Sequence, residues 1–351
     1  MSQVFRELLK KVGNGAHTKQ DLSRAEAALA LRLMLAQEAT PAQVGAFLIA
    51  HRIKRPTCEE LAGMLDTYAE LGPQVPALPE SKPPVLVLST PYDGRSRTAP
   101  VTPLTALFLA TAGQPVLLHG GDRAPTKYGL PLSELLLGLG LDFTHLSLAQ
   151  LHRVLAEANL GFVYTPRHFP AAQALMVYRD EIGKRPPLAT LELIWLPYSG
   201  PGRAIAGYVH PPTASLLRGA LAQRGVTDLL LVKGLEGSCD LPRGRTAIAA
   251  LSNPAAPGGC DYLKLPPRDW GYDGEDSPCP PLPTLLAQYE AILQGESNPL
   301  LPAVLWNAGF YLWQLGRAAD LGAGLELAKT WLSTGRVWAQ RQDIQAAIAR
   351  A

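Results

Sequence analysis

Five short apolar runs separated by helical patterns constrain the fold of this chain more than any other feature. The runs begin at residues 85, 114, 160, 204 and 228 and read VLVLS, QPVLLHG, LGFVYTP, AIAGYVHP and DLLLVKG. Segments between them, such as PLSELLLGLG and TASLLRGALAQRG, carry the helical period. Short continuous apolar runs joined by helices are typical of buried parallel strands. The sequence therefore predicts an α/β domain with a mostly parallel central sheet.

The sequence of residues 1–72 predicts a separate, all-helical unit. Three helix starts carry capping-box sequences: SRAE at Ser23, TPAQ at Thr40 and TCEE at Thr57. We assign 1–72 to a small helical N-terminal domain, 73–84 to a proline-rich linker and 85–351 to the larger α/β domain. A helical segment near 168–186 is expected to join the helical domain.

Composition excludes several classes of protein. A chain of 351 residues with 47% hydrophobic and 18% charged residues is globular rather than disordered. The formal net charge of +2 excludes a polybasic protein. The four cysteines lack C-x-x-C spacing, and no apolar run has membrane-spanning length. With no secretory signal at the N-terminus, we expect a cytoplasmic protein.

Loops at the ends of the predicted strands carry the functional signal. STPYDG (89–94) follows the first run, LHGGDRA (118–124) follows the second, and FPAAQALMVYRDEIGKRPP (169–187) contains Arg179. In this order the loops resemble the anthranilate phosphoribosyltransferase family (glycosyltransferase family 3) over nearly the whole chain. The resemblance implies a type II phosphoribosyltransferase-like, or nucleoside phosphorylase-like, fold. It also implies a homodimer that pairs through the helical domain.

The same loops depart from the family pattern where the family holds diphosphate and magnesium. Three glycines of the family's glycine-rich loop are absent, and Pro91 has no N–H to donate. Cys239 and Asp240 stand where the family has an acidic pair, so Glu236 and Asp240 are the only candidate ligands for Mg²⁺. We therefore expect no catalytic residue, no metal ligand set and no required cofactor.

The segment PYDGRSRTAPVTPL (91–104) resembles the corresponding loop of a non-catalytic, nucleic-acid-binding branch of the family. In this interpretation Arg95 and Arg97 contact phosphate by charge in place of backbone amides. The predicted phosphate- or nucleic-acid-binding residues lie in the loops at the strand ends and on the helix that reaches the hinge: Asp93, Gly94, Arg95, Arg97, Thr102, His119, Gly120, Arg123, Lys127 and Arg179.

Three functions stay open. The first is a non-catalytic binder of DNA or RNA, and the second is an active glycosyl or phosphoribosyl transferase (a pentosyltransferase) with an altered substrate. The third is a pseudoenzyme that binds a protein partner. The low net charge counts against the first, and the lost glycines count against the second. On the first helix, the apolar residues Val4, Phe5, Leu8 and Leu9 fit either a dimer contact or packing within the chain.

Overall fold

A seven-stranded sheet organises the computed structural model, which describes residues 2–15, 17–253, 255–256 and 259–351. The strands are β1 (Val85–Leu88), β2 (Val116–Gly120), β3 (Leu160–Tyr164), β4 (Gly202–Gly207), β5 (Leu229–Val232), β6 (Ala247–Ser252) and β7 (Cys260–Leu265). Their order is β3-β2-β1-β4-β5-β6-β7. The first five are parallel, as predicted, whereas β6 and β7 form an antiparallel extension that the sequence interpretation did not include.

Helices precede the sheet, cover its two faces and close the chain. They are α1 (Gln3–Gly13), α2 (Arg24–Leu35), α3 (Pro41–Lys54), α4 (Cys58–Leu71), α5 (Thr102–Thr111), α6 (Leu132–Gly138), α7 (Leu148–Ala158), α8 (Thr165–His168), α9 (Pro170–Gln173), α10 (Met176–Ile182), α11 (Leu188–Leu191), α12 (Pro211–Ala222), α13 (Leu282–Leu293), α14 (Leu301–Gln314), α15 (Leu321–Ser333) and α16 (Arg336–Arg350). None of those described is long and apolar enough to cross a membrane.

Local sequence accounts for the helical domain. Complete capping boxes start α2, α3 and α4 at Ser23, Thr40 and Thr57, as predicted. On α1, Phe5 and Leu8 are buried within the chain, and α1 packs on α3. Their apolar face is thus used for packing within the chain, so they are not free to form a dimer contact.

Two apolar cores lie on opposite faces of the sheet. In β1, Leu86 and Leu88 face the core that includes α5, α14 and α15, whereas Val85 and Val87 face the core shared with the helical domain. Both faces of the strand are buried, which is why the sequence shows a continuous apolar run rather than an alternating pattern. The sheet therefore forms a rigid support for the loops at its carboxyl edge.

Helices and ion pairs connect the two domains. Helix α10 packs on α3, and α11 and α12 pack on α4, so the segment near 168–186 contacts the helical domain. Asp66 on α4 accepts hydrogen bonds from both Arg24 and Arg224. Arg224 follows α12 in the α/β domain, so this shared carboxylate links the domains. The boundaries at 72 and 85 stay a prediction.

Candidate functional site

The loop after β1 turns sharply at Gly94 and folds back across the carboxyl edge of the sheet. Gly94 has φ +72°, and a Cβ there would lie 2.5 Å from the carbonyl carbon of Gly129. The next residue, Arg95, exchanges backbone hydrogen bonds with Leu130 at 3.2 and 2.8 Å. Only glycine tolerates both the positive φ and the close approach. This turn sends the Arg95 side chain into the protein.

Arg95 lies inside a cluster of oxygen atoms, with its side chain only 4% exposed. Its Nη1 donates to Ser238 Oγ at 2.7 Å and to Asp240 Oδ2 at 2.7 Å, and its Nε donates to Glu236 Oε1 at 3.3 Å. Nη2 donates to the Thr98 hydroxyl. Two carboxylates and two hydroxyls thus surround one guanidinium, so Arg95 is occupied by contacts within the chain.

The backbone N–H groups of the same loop bind Glu236. The amides of Arg97 and Thr98 donate to Glu236 Oε1 at 3.1 and 3.0 Å. Burial opposes ionisation of Glu236, but the loop amides and the nearby cations Lys127 and Arg95 outweigh it and lower its pKa to about 2. In a phosphate-binding loop such amides face a ligand anion. Here the protein's own carboxylate takes that place.

Asp240 completes the cluster beside a neutral thiol. Its carboxylate accepts from the Val101 amide at 3.0 Å and from the Thr102 hydroxyl at 2.7 Å. Burial raises the pKa of the neighbouring Cys239 thiol well above its ordinary value, and its Sγ donates to the carbonyl oxygen of Ser89 at 3.0 Å. Cys239 therefore supplies no negative charge beside Asp240.

His119 lies near the end of β2 in the protein interior. Its Nε2 lies 3.1 Å from Ser89 Oγ and its Nδ1 lies 2.7 Å from the Tyr92 hydroxyl. Burial lowers the pKa of His119 to about 3, so the ring is neutral at physiological pH. Both ring nitrogens are engaged within the chain, as expected of a structural histidine.

The other predicted cations differ in accessibility. The Arg97 side chain is 78% exposed, and its nearest acid is Glu236, at 3.7 Å. Lys127 is partly exposed and lies 3.3 Å from the same carboxylate. Arg123 forms a two-point ion pair with Glu134 at the surface. Arg179 is buried against a carboxylate. The predicted phosphate contacts stay predictions, and Arg97 is the most accessible of these side chains.

A cleft of about 200 Å³ opens beside this cluster, between the loop after β1 and the connection from α11 to α12. Asp93 and Glu236 lie in its wall, and Arg185 pairs with Asp93. Tyr92 and His210 also line it. The charged groups of the cleft are thus mainly paired with one another.

The donor set does not fit the magnesium ion expected in the family. Glu236 and Asp240 are the carboxylates of this cluster, and the Arg95 guanidinium lies between them, whereas Asp93 in the same cleft pairs with Arg185. No group of three or more His, Cys, Asp or Glu side chains able to hold a metal occurs in the part of the chain that the structure describes. Magnesium prefers several oxygen ligands. The carboxylate oxygens of Glu236 and Asp240 instead accept hydrogen bonds from the Arg95 guanidinium.

The helical N-terminal domain, the mostly parallel sheet and the cleft at its carboxyl edge define a protein with the fold of a phosphoribosyltransferase. The structure superposes on anthranilate phosphoribosyltransferase from Saccharomyces cerevisiae in complex with PRPP and Mg, with a TM-score of 0.83 and 17% identity over 100% of this chain and 99% of that one. The Thermus thermophilus enzyme gives a TM-score of 0.76 and 23% identity, and each chain is covered completely.

Sequence comparison identifies the family. Residues 6–72 match the model of the glycosyl transferase family, helical bundle domain. Anthranilate phosphoribosyltransferase from Xanthobacter autotrophicus (strain ATCC BAA-1158 / Py2) is 30% identical over 349 residues, which are 97% of this chain and 96% of that one. The Rhizobium meliloti (strain 1021) enzyme is 30% identical over 90% of this chain and 91% of that one. The chain belongs to the anthranilate phosphoribosyltransferase family.

Sequence reasoning missed several partners of the predicted residues, among them Thr98, Ser238 and Glu192. Thr98 and Ser238 bind the Arg95 guanidinium, and a hydroxyl residue in a loop gives no signal of that role. Glu192 pairs with Arg179. A lone glutamate in the apolar run LELIWL (191–196) is a usable signal, because a charge in such a run requires a buried partner.

Proposed function

We propose that this protein is a family member without magnesium-dependent phosphoribosyl transfer, in which the cleft binds nucleic acid through its phosphate backbone. One observation carries the loss of transfer: the Arg95 guanidinium lies between Glu236 and Asp240, and the loop amides bind Glu236. Phosphoribosyl transfer requires amides and metal ions that stabilise charge on the leaving diphosphate. Here both kinds of group have partners within the chain.

The enzymatic test is direct. Purified protein with magnesium, phosphoribosyl pyrophosphate and anthranilate should give no product above a buffer control, while an active relative assayed in parallel should turn over. Multiple turnovers by this protein would refute the proposal.

The nucleic-acid part of the proposal rests on a row of cations that crosses from the α/β domain to the helical domain. Arg97 and Lys127 flank Glu236, and Arg185 pairs with Asp93, the next acid along the cleft. Arg52 of α3 continues the row, because its Nε donates to the carbonyl oxygen of Arg185 at 3.0 Å. We call Arg97, Lys127, Arg185 and Arg52 the cleft cations. Because phosphate contacts carry no sequence information, such a row suits sequence-tolerant binding.

Salt dependence tests this row. The logarithm of the binding constant for unrelated DNA and RNA oligonucleotides should fall linearly with the logarithm of salt concentration, by roughly 0.7 to 0.9 per contact. The double variant Arg97→Ala/Arg52→Ala should bind more weakly and with a flatter slope. Arg350→Ala, at the exposed end of the last helix, should behave like wild type. Equal binding by all three proteins would exclude the cleft cations. No binding by wild type at low salt would favour a pseudoenzyme with a protein partner.

A second candidate function is an active glycosyl or phosphoribosyl transferase with an altered substrate. The comparisons favour it over the non-catalytic proposal, because relatives about 30% identical over nearly the whole chain are named as enzymes. The turnover assay above, repeated with other aromatic amines as acceptors, decides between the two. Product formation with any of them would make the altered transferase the better conclusion.

We also propose a homodimer through the helical domain in the cytoplasm. Ile53 on α3 is 68% exposed, and Ala46 on the same helix is exposed as well. These residues support a contact centred on α3, because Leu8 of α1 is already buried within the chain.

A further inference from the structure

A second buried ion pair lies at the junction of the two domains. Arg179 on α10 pairs with Glu192, which follows α11, and both side chains are almost completely buried. Tyr68, Phe169 and Trp195 form an aromatic cluster there, with ring centroids 5.0 to 5.8 Å apart. Glu192 lines one cavity together with these three rings.

The pair leaves buried polar atoms with unused bonding capacity. Within the described residues, Arg179 Nε, Glu192 Oε2 and Trp195 Nε1 are buried without hydrogen-bond partners. Unpaired buried polar groups are unfavourable, so this pocket is built for a polar occupant as well as for aromatic packing. The remaining cavity has room for roughly one water molecule. The Glu192 side chain thus fills space that a ligand could otherwise use.

We propose that Glu192 is a built-in occupant of a pocket for aromatic carboxylates and that it excludes such ligands. A pocket in which a buried arginine lies beside aromatic rings suits a ligand that has a carboxylate on a planar ring. Anthranilate, after which the relatives are named, is such a ligand. Glu192 supplies that carboxylate from the chain, and a second buried anion would repel it. The inference rests on the proposed function, in which no anthranilate is turned over, and extends it to the acceptor end of the cleft.

Removing the built-in carboxylate should make the pocket respond to an external one. Glu192→Ala leaves Arg179 buried and unpaired, so the Tm should fall by roughly 5 to 10 °C. Saturating anthranilate should then raise the Tm of this variant by roughly 2 to 5 °C. Anthranilamide, which has the same ring and amine but no charge, should not. Neither compound should shift the Tm of wild type.

Two further variants separate this result from a general loss of packing. Glu192→Gln keeps the side-chain volume, so the pocket stays filled and anthranilate should have no effect. Arg179→Met/Glu192→Ala lacks the guanidinium, and anthranilate should again have no effect. If Glu192→Ala does not accumulate as a folded protein, its refolding yield with anthranilate against anthranilamide replaces the Tm.

Three outcomes would overturn the inference: an anthranilate shift in wild type, equal shifts by both compounds in Glu192→Ala, or no shift by either. None of these measurements uses phosphoribosyl pyrophosphate or magnesium. A failure here therefore leaves the proposed loss of transfer standing, whereas turnover of anthranilate by wild type in the enzymatic test would overturn both proposals.

Discussion

Truncating Arg95 tests whether a side chain has taken the place of a metal ion. In Arg95→Ala, Glu236 and Asp240 lose the guanidinium that lies 3.3 and 2.7 Å from their oxygens. Breaking a buried ion pair by removing one partner costs about 3 to 5 kcal/mol. The neighbouring Arg97 is 78% exposed, and truncating such a side chain changes stability by about 0.5 kcal/mol or less. Arg95→Ala should therefore be less stable than Arg97→Ala by about 2.5 kcal/mol or more.

Urea denaturation of the two variants and wild type, followed by circular dichroism with and without magnesium, measures this difference. Magnesium should stabilise Arg95→Ala, because the variant frees two carboxylates that are oxygen ligands for a hard cation. It should leave wild type and Arg97→Ala unchanged. If Arg95→Ala were as stable as Arg97→Ala, the guanidinium would not be a structural part of the cluster, and the proposed loss of transfer would lose the observation that carries it.

Three further predictions concern the turn, the buried histidine and the dimer. Gly94 and Gly113 both have φ +72°, but of the two only Gly94 lies so close to other backbone that an added Cβ would meet it, at 2.5 Å. Gly113→Ala should therefore destabilise the protein by roughly 1 kcal/mol, and Gly94→Ala by clearly more. Urea denaturation of the two variants measures this difference. Because the pKa of His119 is about 3 when folded and about 6.5 when unfolded, its neutral ring stabilises the fold above pH 6.5. That contribution should be lost as the pH falls, by up to about 1.4 kcal/mol per unit, and the slope should be smaller in His119→Gln. In analytical ultracentrifugation, Ile53→Glu should shift the sedimentation mass toward the monomer while Leu137→Glu, also at an exposed position, should not; a monomeric wild type would refute the dimer.

Features fixed by neighbouring residues were predictable from the sequence. The capping boxes at Ser23, Thr40 and Thr57 each need only four consecutive residues, and all three form. The five parallel strands were also predictable, because burial on both faces leaves a continuous apolar run. The antiparallel pair β6 and β7 was not predictable. Several residues of the edge strand β7 are exposed, so its sequence, CDYLKL, does not form a continuous apolar run.

The direction of Arg95 could not be read from its own segment. The sequence interpretation assigned it to a ligand phosphate, whereas its partner Glu236 lies 141 positions further along the chain. Gly94 decides the direction through a positive φ that one sequence alone does not specify. Departures from the family pattern in this loop were an expectation from the sequence, but the sequence did not indicate that Glu236 would bind the loop amides.

The ion pairs that connect the two domains make the cleft itself sensitive to ionic strength. Asp66 with Arg24 and Arg224, and Asp93 with Arg185, include side chains that are 19 to 41% exposed. At physiological salt the Debye length is about 8 Å, so added salt weakens such contacts. Salt would then loosen the contact between the two domains as well as release counterions from a bound polyanion. A binding slope measured alone would therefore count too many phosphates, and small-angle scattering of the free protein across the same salt series would measure the share that belongs to the domain contact.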